Sequence, residues 1–345
     1  MKVTLKQIAQ QAGVSVNTVS LALRNMPNVK KETRDEILQI ATNLGYFNQS
    51  IRNEPQNICL ISTGERLQDS YFYMNFYQKI LSAAAQYHYT TIIYQISSCD
   101  IDPLELRHNF EMNSINGAII LGDSDERIVK KILQTGIPVI GLSTRYFDIP
   151  VCAFVEDNLS GIGLAVNYLY QRGFTDIGFI GNPTHSTGFL DRYAGFVASM
   201  HRVGLPIREE FQLFDLNEGD EYVTTNLANQ LSAMPQLPQA FLCANDNVAI
   251  ITLKALTTIG LSVPDDVSLI GYDSSVMGKL VTPAITSIDV CCDQQTTACL
   301  QKLTEFMRTN TYSVECHRLP VQLVEGESVG FIDTKKATPH NLITI

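Results

Sequence analysis

Between residues 58 and 273 the chain returns eight times to a short apolar run. The first four are ICLIS at 58–62, TIIYQI at 91–96, GAIILG at 117–122 and PVIGLS at 138–143. A second set is CAFVED at 152–157, IGFIG at 177–181, AFLCAN at 240–245 and VSLIGYD at 267–273. Stretches with helical spacing lie between them, among them 73–87, 159–172, 189–203 and 246–259. Near-continuous apolar runs of this length are what strands show when both faces are buried. Strands of that kind alternating with helices predict parallel sheets covered on both sides. Because the runs divide into two groups, two doubly wound lobes fit them better than one sheet of eight or more strands. Such α/β folds take small ligands in the crevice beyond the carboxyl ends of their strands.

The first fifty residues follow a different rule. In TLKQIAQQAGVSVNTVSLALR, residues 4–24, the apolar positions Leu5, Ile8, Ala9 and Ala12 recur at helical spacing. Thr4 with Gln7 three residues on forms a capping box that starts this helix. Gly13 permits a tight turn, and Ser15 caps a second helix with Val19 and Leu23 on its inner face. After NMPNVK a third helix is predicted over roughly 31–44. Thr33, Ile37, Ile40, Ala41 and Leu44 lie on one stripe, and Gly45 stands at its end. The outer face of the second helix is Val16, Asn17, Ser20, Leu21 and Arg24, with no carboxylate. Thr18 and Ser20 can donate to phosphates. This is the pattern of a helix-turn-helix whose second element enters a major groove.

Charge separates the same two regions. Residues 1–52 hold seven Lys/Arg against three Asp/Glu, a net of +4; with −10 overall, the rest carries −14. Any phosphate contact is thereby confined to the head. The eight cysteines contain no C-x-x-C pair and the six histidines are scattered, so neither a metal site nor a disulfide framework is expected. Buried thiols in a reducing cytoplasm fit this usage, Cys291 and Cys292 included. No run has the length of a membrane span, and the N-terminus opens directly on the head without an apolar signal core. SGIGLAV at 160–166 begins like a dinucleotide fingerprint, but Val166 takes the place of its third glycine, and helix packing accounts for it better. Nucleophile elbows, phosphate loops and metalloprotease helices are absent from the sequence, so no enzyme chemistry and no cofactor are expected.

The string VTLKQIAQQAGVSVNTVS, followed by NVKKETR and LGY, resembles the N-terminus of the lactose-repressor (LacI/GalR) family of bacterial transcription regulators. The likeness continues through R-x-x-G-F at Arg192–Phe196, NDNVAI at 245–250, GYD at 271–273 and TPAITSI at 282–288. It is weakest at the hinge and in the last dozen residues. It implies a helix-turn-helix head over 1–47, a hinge over 48–56, a two-lobed body like periplasmic sugar-binding proteins over 57–334 and a tail over 335–345. Three chain crossings put the N-lobe at about 57–157 plus 289–313 and the C-lobe at about 158–286 plus 314–334. By the same resemblance Val16, Asn17 and Leu21 reach base edges, Asn17 pairing with adenine and Val16 packing on a thymine methyl. Thr4, Ser15, Thr18, Ser20, Arg24, Asn28, Tyr46 and Ile51 complete the implied DNA surface.

The hinge departs from the family. Where relatives read Y-x-P-N-x-x-A-R-x-L, this chain reads YFNQSIRNEP at 46–55: Asn48 replaces the proline, Arg52 the alanine and Pro55 the leucine. Pro55 also biases Glu54 away from helix. The change is either linker drift or a sign that DNA is kinked less, or by Ile51 instead.

For the cleft, the resemblance carries over Arg192 and Asp273 as the pair gripping ligand hydroxyls, with Asn245 beside them. Tyr71 and Phe72 supply a flat apolar face, and Arg145 and Tyr146 follow the N-lobe strand GLS. The implied protein is a cytoplasmic homodimer bound to a palindromic operator and relieved by a small molecule, a sugar first. The alternatives are a co-repressor purine, a protein co-effector, or a carbohydrate-binding protein without regulation.

Overall fold

The structure, a computed structural model, describes residues 3–23, 29–44, 56–63, 70–96, 99–216 and 222–332. Three helices come first: α1 (Leu5–Ala12), α2 (Val16–Leu23) and α3 (Lys31–Asn43). The capping box is formed, with the Thr4 N–H donating to Gln7 Oε1 at 2.7 Å and the Thr4 hydroxyl accepting from the Gln7 N–H. Gly13 turns in the left-handed region at φ 65°. Ser15 Oγ then accepts the Thr18 N–H at 3.0 Å and starts α2. Helices this short are marginal alone. They are held by a core of Ile8, Ala9, Val19, Ala22, Val29, Ile37 and Ala41. Ala22, not Leu23, is the second fully buried residue of α2; Leu23 packs at the core's margin.

The body opens with β1 (Gln56–Thr63), α4 (Ser70–Gln86), β2 (Tyr89–Ile96), α5 (Pro103–Met112) and β3 (Ile115–Leu121). Next come α6 (Glu126–Leu133), β4 (Val139–Leu142), β5 (Cys152–Glu156), α7 (Asn158–Gln171), β6 (Ile177–Ile180) and α8 (Thr187–Val203). They are followed by β7 (Gln212–Leu213), α9 (Val223–Ala233), β8 (Ala240–Cys243), α10 (Asp246–Thr258), β9 (Ser268–Ile270) and the short α11 (Val276–Leu280). The last described elements are β10 (Ser287–Asp289), α12 (Cys292–Thr309), β11 (Cys316–Leu319) and β12 (Gln322–Val324).

Two parallel sheets result. The N-lobe sheet has the order β2-β1-β3-β4-β5-β11, and the C-lobe sheet the order β7-β6-β8-β9. Along β1, Ile58 and Leu60 enter one core cluster while Cys59 and Ile61 enter the other, which is why the run is apolar without alternation. Helices α4 and α12 cover the first face, and α5 and α6 the second. β10 and β12 pair antiparallel with each other, outside both sheets.

CAFVED, as β5, extends the first sheet by pairing with β4. One expectation changes. The segment after residue 314, assigned to the C-lobe, contains β11, and Cys316–Leu319 pairs with Ala153–Glu156 in the N-lobe. The crossing back to the C-lobe therefore lies between β11 and β12. β5 offers an edge of unpaired backbone groups, and β11 satisfies it. CHRL carries no apolar run because its residues alternate between exposed and half-buried. All eight cysteines are free thiols; Cys292 is buried but Cys291 only partly. Among the described residues no helix is long and apolar enough to cross a membrane, and none cluster with metal-ligand geometry. Hinge residues 48–55 and the tail after 334 lie outside the described residues.

Candidate functional site

The carboxyl ends of strands in both sheets face one cavity, the place where such folds take small ligands. Its C-lobe wall is built around Arg192, on the second turn of α8. Ser186 caps that helix by accepting the Phe189 N–H at 3.1 Å. The Arg192 Nε–H donates to Asn158 Oδ1 at 2.8 Å, Nη1 to the Ala244 carbonyl at 2.7 Å and Nη2 to Asp273 Oδ1 at 3.0 Å. Its guanidinium carbon lies 3.8 Å from the centroid of the buried Tyr272 ring. Burial opposes the Arg192 charge, but Asp273, Tyr272 and Glu156 outweigh it and hold the group above its usual pKa. One side chain thus ties together the starts of α7 and α8 and the ends of β8 and β9. Asn245, at the end of β8, caps α10 by accepting the Val248 N–H at 2.7 Å. Asp273 follows β9 with φ at 96°, a conformation a non-glycine residue holds only when its surroundings fix it.

Behind this wall, and outside the cavity lining, stands Asp246. It accepts from Ser287 Oγ at 2.6 Å and from the Ser275 N–H at 2.5 Å, joining β10 and α11 to α10. Burial raises its pKa to about 6, against those hydrogen bonds.

The N-lobe wall consists of Phe72, Tyr73, Asp123, Ser143 and Glu156. Gly122 places Asp123. Its φ is 72°, and a Cβ there would stand 2.6 Å from the Tyr73 hydroxyl oxygen. Asp123 Oδ1 accepts from Thr144 Oγ1 at 2.7 Å and Thr187 Oγ1 at 2.9 Å, and Oδ2 accepts the Thr187 N–H at 2.7 Å. Thr187 is the first residue of α8, so an N-lobe carboxylate satisfies a C-lobe helix terminus. Glu156 ends β5 and is buried at 3% exposure; its Oε1 has no hydrogen-bond partner.

Of the residues expected here, Phe72, Arg192, Asn245 and Asp273 line the cavity together. The Tyr71 side chain lies outside the described residues. Arg145 and Tyr146 are not part of the lining. Arg145 Nη2 donates to Asp191 Oδ1 at 2.6 Å, an ion pair between the lobes outside the cavity. The Tyr146 hydroxyl accepts the Ser124 N–H at 3.3 Å, and its ring packs on the far core of the N-lobe. A long side chain just after a strand points into the crevice only if the loop turns it there, and here the cavity position is taken by Ser143, with φ at 54°. Asp123 and Glu156 were missed. GD after GAIIL and ED after CAFV were the available signals, a carboxylate at the carboxyl end of an apolar strand.

In the head, Val16 and Asn17 are exposed at the start of α2, while Thr18 and Ser20 are half-buried. The Thr18 and Ser15 hydroxyls hydrogen-bond each other at 2.8 Å. Thr4 and Ser15 are exposed caps. Leu21 is half-buried against the head core, so its side chain is shared between that core and the outer face. Arg24, Asn28, Tyr46 and Ile51 lie outside the described residues.

Residues 4–49 match the family described as bacterial regulatory proteins, lacI family, and residues 166–329 match the periplasmic binding protein-like domain. The probable HTH-type transcriptional repressor ExuR of Bacillus subtilis (strain 168) is 27% identical over 301 residues, covering 83% of this chain and 86% of that protein. Among solved structures, a complex of the transcriptional regulator CelR with cellobiose is similar at a TM-score of 0.69 and 21% identity, over 95% of this chain and 100% of that one. The Lac repressor dimer bound to operator and the anti-inducer ONPF is similar at 0.67 and 20%, over 95% of this chain and 99% of that one. At such identities the structural likeness shows a common fold.

Proposed function

The chain belongs to the lacI family of bacterial regulatory proteins, and from that premise we propose how it works. It is a DNA-binding transcription regulator acting as a repressor. Two copies assemble in the cytoplasm, and their heads read the half-sites of a palindromic operator. A sugar bound between the lobes favours one lobe arrangement, changes the spacing of the heads and releases DNA.

The cavity is the observation that carries this reading. Its C-lobe wall offers an aspartate and an arginine already fixed in place, the combination that grips vicinal hydroxyls. The N-lobe touches the C-lobe through Asp123 of that cavity's wall and, outside the cavity, through Arg145. A ligand seated there makes contacts that depend on how the lobes are closed, and only such differential contact shifts an equilibrium.

The test has two parts. Selection from a random duplex pool with the full chain is expected to return a palindrome. Asn17→Ala is expected to relax preference at one base pair per half-site by about 1–3 kcal/mol. A saturating sugar is expected to weaken binding to that palindrome, and Asp273→Asn to abolish the response. A selected site without two-fold symmetry would remove the dimeric reading, and DNA affinity indifferent to every sugar would remove the inducer.

A further inference from the structure

The cavity is acidic in a way that gripping sugar hydroxyls does not require. Asp123, Glu156 and Asp273 line it, against one guanidinium, Arg192, one imidazole, His185, and, among the described residues, no lysine. Two of the carboxylates have clear employment: Asp123 lies between Thr144 and Thr187, and Asp273 receives Arg192. Glu156 has none. It is the last residue of β5, 97% removed from solvent by its 3% exposure, with Oε1 unpartnered. Arg192 is near enough to feel its charge, but its donated bonds run to Asn158, Ala244 and Asp273. An isolated buried carboxylate is among the costliest groups a fold can hold. It is retained at low cost only where a cation or a donor meets it in the working state.

Taking the cavity as an effector site, as argued above, we infer that the effector carries a protonated amine that pairs with Glu156. The rest of the molecule is polyhydroxylated, with hydroxyls meeting Asp273, Arg192 and Asn245. Its class is an amino sugar. A neutral hydroxyl would satisfy the Glu156 hydrogen bond but leave three carboxylates facing one guanidinium. A carboxylated or phosphorylated sugar would add a fourth anion to a site whose one guanidinium already pairs with Asp273. An ammonium satisfies both the hydrogen bond and the charge.

The test is calorimetry and thermal unfolding of the full chain with matched sets: glucosamine, glucose and glucuronate; galactosamine, galactose and galacturonate; glucosamine 6-phosphate and glucose 6-phosphate; and deacetylated chitobiose beside cellobiose. The amine is expected to bind about tenfold or more tighter than its neutral partner, the increment of one charge-assisted bond. The anionic members are expected to leave the unfolding midpoint where it is. Glu156→Gln, which keeps the volume and removes the charge, is expected to bring the amine-to-neutral ratio to within about twofold. The midpoint of free Glu156→Gln protein is expected at or above that of the wild type, because an unpaired buried charge has been removed.

A carboxylated or phosphorylated member binding most tightly would overturn the inference. So would an amine preference that survives Glu156→Gln, or a midpoint several degrees lower in that variant. In each case a ligand response abolished by Asp273→Asn would leave the effector site standing. Absence of binding by every member would overturn the inference and the effector site together.

Discussion

The two walls of the cavity are made differently. On the C-lobe side Arg192 donates to Asn158, Asp273 and the Ala244 carbonyl, and Asn245 is locked as a helix cap. This wall is complete without anything in the cavity. On the N-lobe side Asp123 bonds Thr144 in its own lobe and Thr187 across the gap, and Glu156 has an unmet oxygen. A rigid wall fixes where a ligand sits, and a wall of outward-facing groups senses whether the gap is closed. The division assigns anchoring to the C-lobe, and closure and charge selection to the N-lobe.

Removing Arg192 is the strongest way to break that division. Arg192→Met is expected to leave Asp273 buried without its partner and to cost about 3–5 kcal/mol, lowering the unfolding midpoint by about 10 °C. A variant that lost ligand binding but kept its midpoint would show that the C-lobe wall is not a structural unit.

Asp123→Ala comes next. It removes three hydrogen bonds made by one carboxylate, two of them across the lobes, and is expected to weaken closure by about 1–3 kcal/mol. Hydrogen exchange at the Thr187 amide is the readout. Protection there should fall about tenfold or more, while core strands such as β8 keep theirs. Equal loss in both would make Asp123 part of the fold and not of the latch. Arg145→Ala tests the same closure more gently: its pair with Asp191 is part-exposed, 17% and 16% by side chain, and its loss is expected to cost about 1 kcal/mol or less.

The same asymmetry governed what the sequence disclosed. Arg192, Asn245 and Asp273 sit in the short motifs R-x-x-G-F, NDN and GYD that carry the family resemblance, and Asn245 also caps its own helix three residues on. The head was legible for a similar reason: capping box, glycine turn and apolar stripe are all short-range, and the structure forms each of them. The N-lobe wall has no such local constraint. Whether Asp123 or Arg145 faces the cavity depends on the left-handed turns at Gly122 and Ser143, which no periodicity encodes. β11 escaped notice because an edge strand with one partner needs no apolar run, and its place beside β5 is a fact of topology.

A pH-dependent prediction sharpens the comparison from behind the C-lobe wall. Asp246 has a folded pKa of about 6, raised by burial above its ordinary value of 3.8. Folding therefore favours the protonated acid. Its contribution to stability is fully present below about pH 4 and is lost as pH rises through about 6, one raised acid running opposite to the usual carboxylate. Asp246→Asn imitates the protonated form, so the wild-type midpoint is expected to fall relative to the variant between pH 4 and 6. The two curves should then run parallel above pH 7. The residues it holds, Ser275 and Ser287, belong to α11 and β10 on the C-lobe side of the cavity, so exchange of the Ser275 amide should track the same titration. The Thr187 amide, held by Asp123 from the other lobe, should not. If both amides respond together, the two walls are one coupled unit and the division of labour between them fails.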